Sequence, residues 1–372
     1  AFARINNTNS RKIIIMAYIT LNRKSLAINY SYLQQLFNKN SIEWAPVLKM
    51  LCGNKTYLEF VLSLGDEQVC DARLSNLKKI KSISPNKETI YIKPPAKRSI
   101  ANIVKFADAS FNTELTTIKW LSQEAVKQEK IHRIIIMIEL GDLREGILGE
   151  HLMAFYKKIF ELPNIKVSGI GANLNCLSGI MPSKDKLIQL SLYEQLIEAK
   201  FGKKIDFVSG GSSVMIPLLL KKQIPKGVNH FRIGETLFFG VDLFTNKTIP
   251  KMKDNVFLLH AEIIEITEKS IVPYGDLEEN PSGETVEINT EDYGKNHSRG
   301  ILDIGLLDIS KTEFILPADK DISFIGASSD MLVVDLSKTA KKYKVGDLVS
   351  FKIKYMGALR IMNSEYIEKK LV

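Results

Sequence analysis

The chain has 372 residues, 45% hydrophobic and 25% charged, with 22 Gly and 12 Pro, a globular composition that leaves out disordered, collagen-like and coiled-coil classes. Its longest apolar runs, such as 134–138 and 214–220, fall well short of the roughly 20 residues that a membrane-spanning helix needs, so no membrane partner is expected. The formal charge of +9 arises from 51 Lys+Arg against 42 Asp+Glu, interspersed without the block of like charge that would track a nucleic acid. Three cysteines, Cys52, Cys70 and Cys176, form no CxxC pair; this argues against a disulfide framework or cysteine zinc site and for a reducing, cytoplasmic compartment.

In chain order, residues 1–15 read as a leader without a proper signal-peptide core, Met16 as the native start, and Ala17 to Leu21 as a strand destined for the C-terminal domain. From about 44 to 240, short β-rich runs alternate with helical segments, the pattern of repeated βα units. Eight runs occur: 44–50, 68–73, 88–93, 108–113, 133–140, 166–174, 206–209 and 230–237. Between them lie amphipathic stretches such as 145–160 and 184–200, with apolar residues three and four apart. The expected fold is α/β, a (β/α)8 TIM-type barrel over 16–245. After Gly240 the texture becomes strand-like at 257–266, 300–307, 331–336 and 348–355, helical periodicity is scarce, and 276–299 reads as a long surface loop. A C-terminal mainly-β domain over 246–372 is expected.

A barrel of this kind works at the C-terminal ends of its strands. Lys49 closes the first run, Arg144 follows the fifth and Asn173 ends the sixth. Ser209-Gly210-Gly211-Ser212-Ser213 follows the seventh run, and Arg232-Ile233-Gly234-Glu235 lies at the eighth, where barrels commonly hold a phosphate on close-approaching backbone. Each piece has a plain alternative: a strand-end lysine is usually solvated, an Arg144 can simply pair with Asp142 or Glu145, and a Gly-Ser turn is usually only a turn. Together, a lysine at strand one and a phosphate cradle at strands seven and eight suggest pyridoxal 5'-phosphate. The five histidines lack ligand spacing, so no metal is expected.

At these residues the sequence resembles the alanine racemase family of fold-type III pyridoxal-phosphate enzymes, and within it the amino-acid racemase branch that includes ornithine racemase. The resemblance runs nearly end to end through Pro46-Val47-Leu48-Lys49, Asp71-Ala72-Arg73-Leu74, 141–146, 169–174, 209–213, 231–235, Ser328-Ser329-Asp330 and 355–359. It implies an isomerase that interconverts L and D amino acids, ornithine or another small or basic one, through a Lys49 Schiff base and α-proton transfer. It also implies a homodimer with shared active sites. Lys49 would carry the cofactor and move the proton, and Arg232 would face the pyridine nitrogen. Ser212 and the backbone at Gly234 and Glu235 would hold the phosphate, with Tyr355 closing over it. Asn173 would lie against the ring, and Arg144 would organise the substrate region.

Two positions depart from the family pattern. Racemisation needs a second acid/base on the opposite face; the family's tyrosine after an Ile-Gly pair is here Leu306. Tyr274, Asp330, Cys52 and Cys176 are the candidates to replace it, and Asp330 and Tyr274, with Arg144, are also candidate substrate contacts. Met137 stands where many alanine racemases place a carbamylated lysine. The alternatives are a non-catalytic cofactor-binding homeostasis protein, which would lack the C-terminal domain, or a fold-type III decarboxylase or D-amino-acid lyase.

Overall fold

A computed structural model describes residues 17–372 except 66–67, 281–282 and 284; the leader and start proposed for 1–16 lie outside the described residues. The chain divides into two compact units, one of residues 21–256 with 371–372, the other of 17–20 with 257–370.

The first unit is the barrel. After β1 (Tyr18–Leu21), eight parallel strands follow: β2 (Glu43–Pro46), β3 (Val69–Asp71), β4 (Thr89–Tyr91), β5 (Ala109–Asn112), β6 (His132–Met137), β7 (Ile165–Gly171), β8 (Phe207–Ser209) and β9 (His230–Ile233). Each falls on one of the eight expected runs. They pair in the order β2-β9-β8-β7-β6-β5-β4-β3, and the ring is joined at its ends by a parallel bridge between Val47 and Cys70, with Leu48 N–H donating to the Cys70 carbonyl at 2.8 Å.

Strand alternation sends Ala45, Val47, Cys70, Ile90, Ala109, Phe111, Ile135 and Met137 into one buried cluster inside the ring. The outward faces pack on helices. In the helix Arg23–Lys39 the buried Leu26, Tyr30, Leu33 and Phe37 recur at helical spacing, and Phe37 stacks on Trp44 at 5.7 Å and lies tilted against Phe231 at 5.9 Å. Fully burying each such side chain contributes roughly 1.5–3 kcal/mol. Buried Asn29 on this helix is satisfied on both sides of its amide: it donates to the Leu237 and Lys253 carbonyls and accepts from Lys253 N–H at 2.7 Å. The amphipathic stretch 145–160 is helical only at its end, Leu152–Ile159 after a short turn at Gly149–His151. Ile147 instead bridges Ile138, with Gly146 at φ +149° making the turn.

The second unit is an antiparallel sheet. Its strands are β10 (Phe257–Ser270), β11 (Asn296–Leu302), β12 (Ile315–Pro317), β13 (Ser323–Ala327), β14 (Leu332–Asp335), β15 (Leu348–Ile353) and β16 (Glu368–Leu371), in the order β12-β15-β10-β11-β14-β13, with β1 joined to β10 and β16. The expected pairing of β1 with this domain is therefore present. The first seven residues of β10 alternate, with Phe257, Leu259, Ala261 and Ile263 buried; the remainder runs out exposed against β11. Three expectations change here. The 300–307 run stops as strand at Leu302, and Leu306–Ile309 is a helical turn. The 276–299 loop ends at Asn296, where β11 begins. The 348–355 run stops at Ile353 and gives way to a helix, Tyr355–Asn363, whose buried Gly357, Ala358, Ile361 and Met362 form one face.

Candidate functional site

Two of the barrel strands deliver cations to their C-terminal ends. Beyond β2, Val47 and Leu48 still bond to the neighbouring strands, and the chain then tightens into a single turn, Lys49–Leu51. Cys52 at φ 49° and Gly53 at φ 70° end the turn, and Asn54 caps the next helix by accepting from Tyr57 N–H at 3.0 Å. Gly53 is needed, because a Cβ there would stand 2.7 Å from Asn76 Oδ1. The tight turn holds Lys49 mostly out of water. Burial lowers its pKa below the ordinary lysine value, aided by the charges of Arg144 and Arg73 and opposed by Cys176 and Asp71. Asp71, at the end of β3, is fully buried. Burial raises its carboxyl to about 6 against the pull of Arg73 N–H at 2.7 Å, the Asn76 amide and the Lys49 charge.

Arg232, on β9, is 5% exposed. Its Nη1 donates to the hydroxyl and carbonyl of Ser209 on β8, its Nη2 donates to the Ala172 carbonyl at 2.7 Å, and its carbon centre lies 4.8 Å from the centre of the Phe111 ring. These acceptors leave Nε–H and one Nη2–H for a ligand. Asn173 follows Ala172 directly and is half-buried.

The loops after β8 and β9 are tied into one piece. Gly211 sits at φ +139°, open to glycine but strained for other residues. Buried Ser213 accepts from Thr236 N–H at 3.1 Å, while Ser212 uses its carbonyl to close the turn to Met215. Gly234 lies against Val47, where a Cβ would meet Val47 Cβ at 3.2 Å. The carboxyl of Glu235 is raised to about 7, chiefly by burial and against the Lys49 charge. Ser213 was not among the expected site residues; its place beside Ser212 in a Gly-Ser turn gave no sign of which hydroxyl would tie the loops.

Arg144 forms a two-pronged ion pair with Glu145, one of the two partners that its plain alternative named. It still acts on the Lys49 charge. Buried Asp142 next to it accepts from the backbone N–H groups of Cys176, Leu177 and Ser178 at 3.1, 3.0 and 3.2 Å, so the loops after β6 and β7 are pinned together and Cys176 with them. Met137 is buried in the barrel interior.

In the sheet unit, Leu306 N–H donates to the Ser328 carbonyl and Leu307 N–H to that of Ser329. This places Asp330 beside Leu306, its carboxylate accepting from Ser329 Oγ at 2.9 Å. Gly305 permits the approach, since a Cβ there would overlap the Asp330 backbone. Tyr274 is 98% exposed, and Tyr355 begins the helix Tyr355–Asn363.

The arrangement can offer an anion glycine-rich backbone, lower the pKa of one amine by burial, and present a fixed guanidinium to a polar edge. Comparison with known proteins bears on which chemistry this is. Residues 21–242 match the family description "Alanine racemase, N-terminal domain". The chain is 35% identical over 355 residues to an ornithine racemase of Acetoanaerobium sticklandii, covering 95% of this chain and 99% of that protein. It is 28% identical over 351 residues to a lysine racemase of Thermotoga maritima, covering 94% and 97%. Among solved structures it is similar to an alanine racemase of Bartonella henselae with covalently bound pyridoxal phosphate, at TM-score 0.73 and 16% identity over 96% of this chain and 99% of that one; that likeness concerns the fold.

Proposed function

The chain belongs to the alanine racemase family, and from that premise we propose that it is a pyridoxal-phosphate-dependent amino-acid racemase, an isomerase, acting on ornithine or another basic amino acid. The observation that carries this reading is a desolvated amine after β2 and a buried guanidinium on β9 in one barrel, in a chain similar along its length to two racemases of basic amino acids.

The residues present fit the cofactor. The Gly211 and Gly234 loops bring backbone to where a phosphate would need it, and the spare N–H groups of Arg232 match an acceptor nitrogen in an aromatic ring. Lys49 would hold the cofactor through Nζ. Ser212 and the backbone at Gly234 and Glu235 would hold its phosphate, and Asn173 would lie against its ring. When bound, pyridoxal phosphate supplies an electron-withdrawing system that acidifies the α-carbon of an attached amino acid.

Lys49 then serves as general base and acid on one face. An amine whose pKa is lowered by burial is more often neutral, so Nζ can take the α-proton and return it. Arg232 would offer a donor to the ring nitrogen, which would disfavour its protonation and so restrain transamination. Arg144, beside the Lys49 amine, would meet the substrate carboxylate. For the opposite face, Leu306 has no proton to give; Asp330, whose backbone lies against Gly305, is an exposed carboxylate suited either to proton transfer or to a substrate's distal ammonium. We further propose a homodimer in which a second copy completes each active site, and a cytoplasmic location, in keeping with three free cysteines. Among the described residues no helix is long and apolar enough to cross a membrane.

Single enantiomers of ornithine, lysine, alanine and serine incubated with the holoenzyme in deuterated water test the reading. Deuterium at the α-carbon with inversion, fastest for the basic substrates, is expected. Deuterium without inversion would remove the opposite-face acid/base, and no exchange with any substrate would overturn the racemase reading in favour of a non-catalytic cofactor-binding protein or a different fold-type III enzyme.

A further inference from the structure

One buried group inside the barrel has no part in the mechanism above. His230 lies two residues before Arg232 on β9 and is completely buried. The register pairs it with Ser209 on β8, and its Nδ1 stands 2.7 Å from Ser209 Oγ. Among the described residues its Nε2 has no hydrogen-bond partner. The same Ser209 hydroxyl receives Nη1 of Arg232.

The proton inventory of the three groups fixes the direction of the chain. A guanidinium only donates, so Ser209 Oγ accepts from Arg232. Full burial, with the Arg232 charge close by, holds the imidazole neutral, pushing its pKa down to about 3. Ser209 keeps one O–H. If His230 carried its proton on Nδ1, the hydroxyl would accept twice and leave its own O–H without use while Nε2 stood as a bare buried acceptor. With the proton on Nε2, the Ser209 O–H donates to Nδ1, and only one N–H is left over; the Phe207 ring packs tilted against the imidazole, centres 5.2 Å apart. A hydroxyl that donates also becomes a better acceptor, because hydrogen bonds in a chain polarise one another.

We propose that His230, acting through Ser209, is a positioning residue for Arg232: it orients the serine proton away from the guanidinium and so fixes the edge that Arg232 offers to the cofactor. This rests on the reading that Arg232 meets the cofactor ring nitrogen. The strand that carries the working cation thus also carries its support, on the same inward face and one layer deeper.

Two measurements test it. In the cofactor-free chain, nitrogen NMR of labelled histidine should show His230 Nδ1 as an unprotonated, pyridine-type nitrogen, and Ser209→Ala should shift that signal. In the holoenzyme, the number of racemisation turnovers per cofactor converted to its amine form should fall about tenfold in His230→Leu, the size expected for losing one support of a charged hydrogen-bond donor. His230→Asn, whose side-chain oxygen can take the Nδ1 place, should restore it, and it also guards against a leucine variant that folds poorly. In a Ser209→Ala background His230→Leu should add nothing further. A protonated Nδ1, or effects of the two substitutions that simply add, would overturn the relay itself. An unprotonated Nδ1 together with a partition ratio that neither His230→Leu nor Arg232→Lys changes would overturn the placement of Arg232 against the cofactor, and this proposal with it.

Discussion

Two neighbouring strands of the barrel, β2 and β9, treat a buried cation in opposite ways. Strands β2 to β6 line the interior with Ala45, Val47, Cys70, Ile90, Ala109, Phe111, Ile135 and Met137, and the amine set above that lining, Lys49, has its pKa lowered first by desolvation. Strands β8 and β9 line it with Ser209, His230 and Arg232, a connected polar chain. Burial also pulls on Arg232, but a guanidinium starts too high to lose its proton, and three acceptors receive its N–H groups. Burial without partners makes a base, and burial with partners makes a fixed charge. The two occur side by side, the amine after β2 and the guanidinium on its neighbour β9.

Exchanging the chemistry of the two cations breaks this contrast most severely at Lys49. Lys49→Arg keeps the charge and most of the length but removes the titratable amine. It should abolish racemisation and the cofactor's visible absorption as completely as Lys49→Ala, while circular dichroism remains that of the parent. Residual turnover in Lys49→Arg would show that charge, and not a neutral amine, is what the β2 side supplies.

The reverse exchange, Arg232→Lys, should cost less. An ammonium cannot reach the Ser209 and Ala172 acceptors together, so turnover should fall on the order of a hundredfold. The cofactor should still bind, because Lys49 and the glycine loops are unaltered. A variant with parental kcat would mean that the polar side serves only stability.

This contrast explains which parts of the molecule were legible in the sequence. The eight barrel strands could be read because each is a short apolar run between helical stretches, and Lys49 and the Gly-Ser loop stood out as candidates because they close such runs, Arg232 because it is a charge within one. The sheet unit was harder. Ser323–Ala327 carries exposed Ser, Ile and Gly and sends no alternation signal, and Tyr355–Asn363 follows β15 so closely, with a glycine at its third position, that it reads as more strand. The polar chain was out of reach for a different reason. Ser209 and His230 are 21 residues apart, and only the β8–β9 register brings them together. Asp71, Asp142 and Ser213 likewise sit in recognisable motifs, but their burial and their partners come from packing between strands.

The smallest effect expected sharpens the contrast from outside the wall. His132 on β6 is nearly as buried as His230, held 2.8 Å from Ser110 Oγ and lowered to about 4, yet it supports no cation in the site; Asp108, Arg133 and Lys130 are the charges that act on it. Its folded pKa lies below the ordinary histidine value of roughly 6.5, so as pH falls through that value the unfolded chain takes up a proton that the fold refuses. The stability it contributes is therefore lost toward acid, by at most about 1.4 kcal/mol per pH unit. Asp71 at about 6 and Glu235 at about 7 act with the opposite sign, since raised carboxyl values favour the fold at low pH and that advantage fades as pH rises through them. In His132→Asn the acid-side slope of unfolding free energy against pH, followed by urea titration from about pH 6 to about pH 4.5, should flatten by close to one proton, while the racemisation-to-transamination ratio stays at the parental value. If that ratio moved as it does for His230→Leu, the two buried histidines would be doing the same work, and the polar chain would extend through the wall instead of ending inside it.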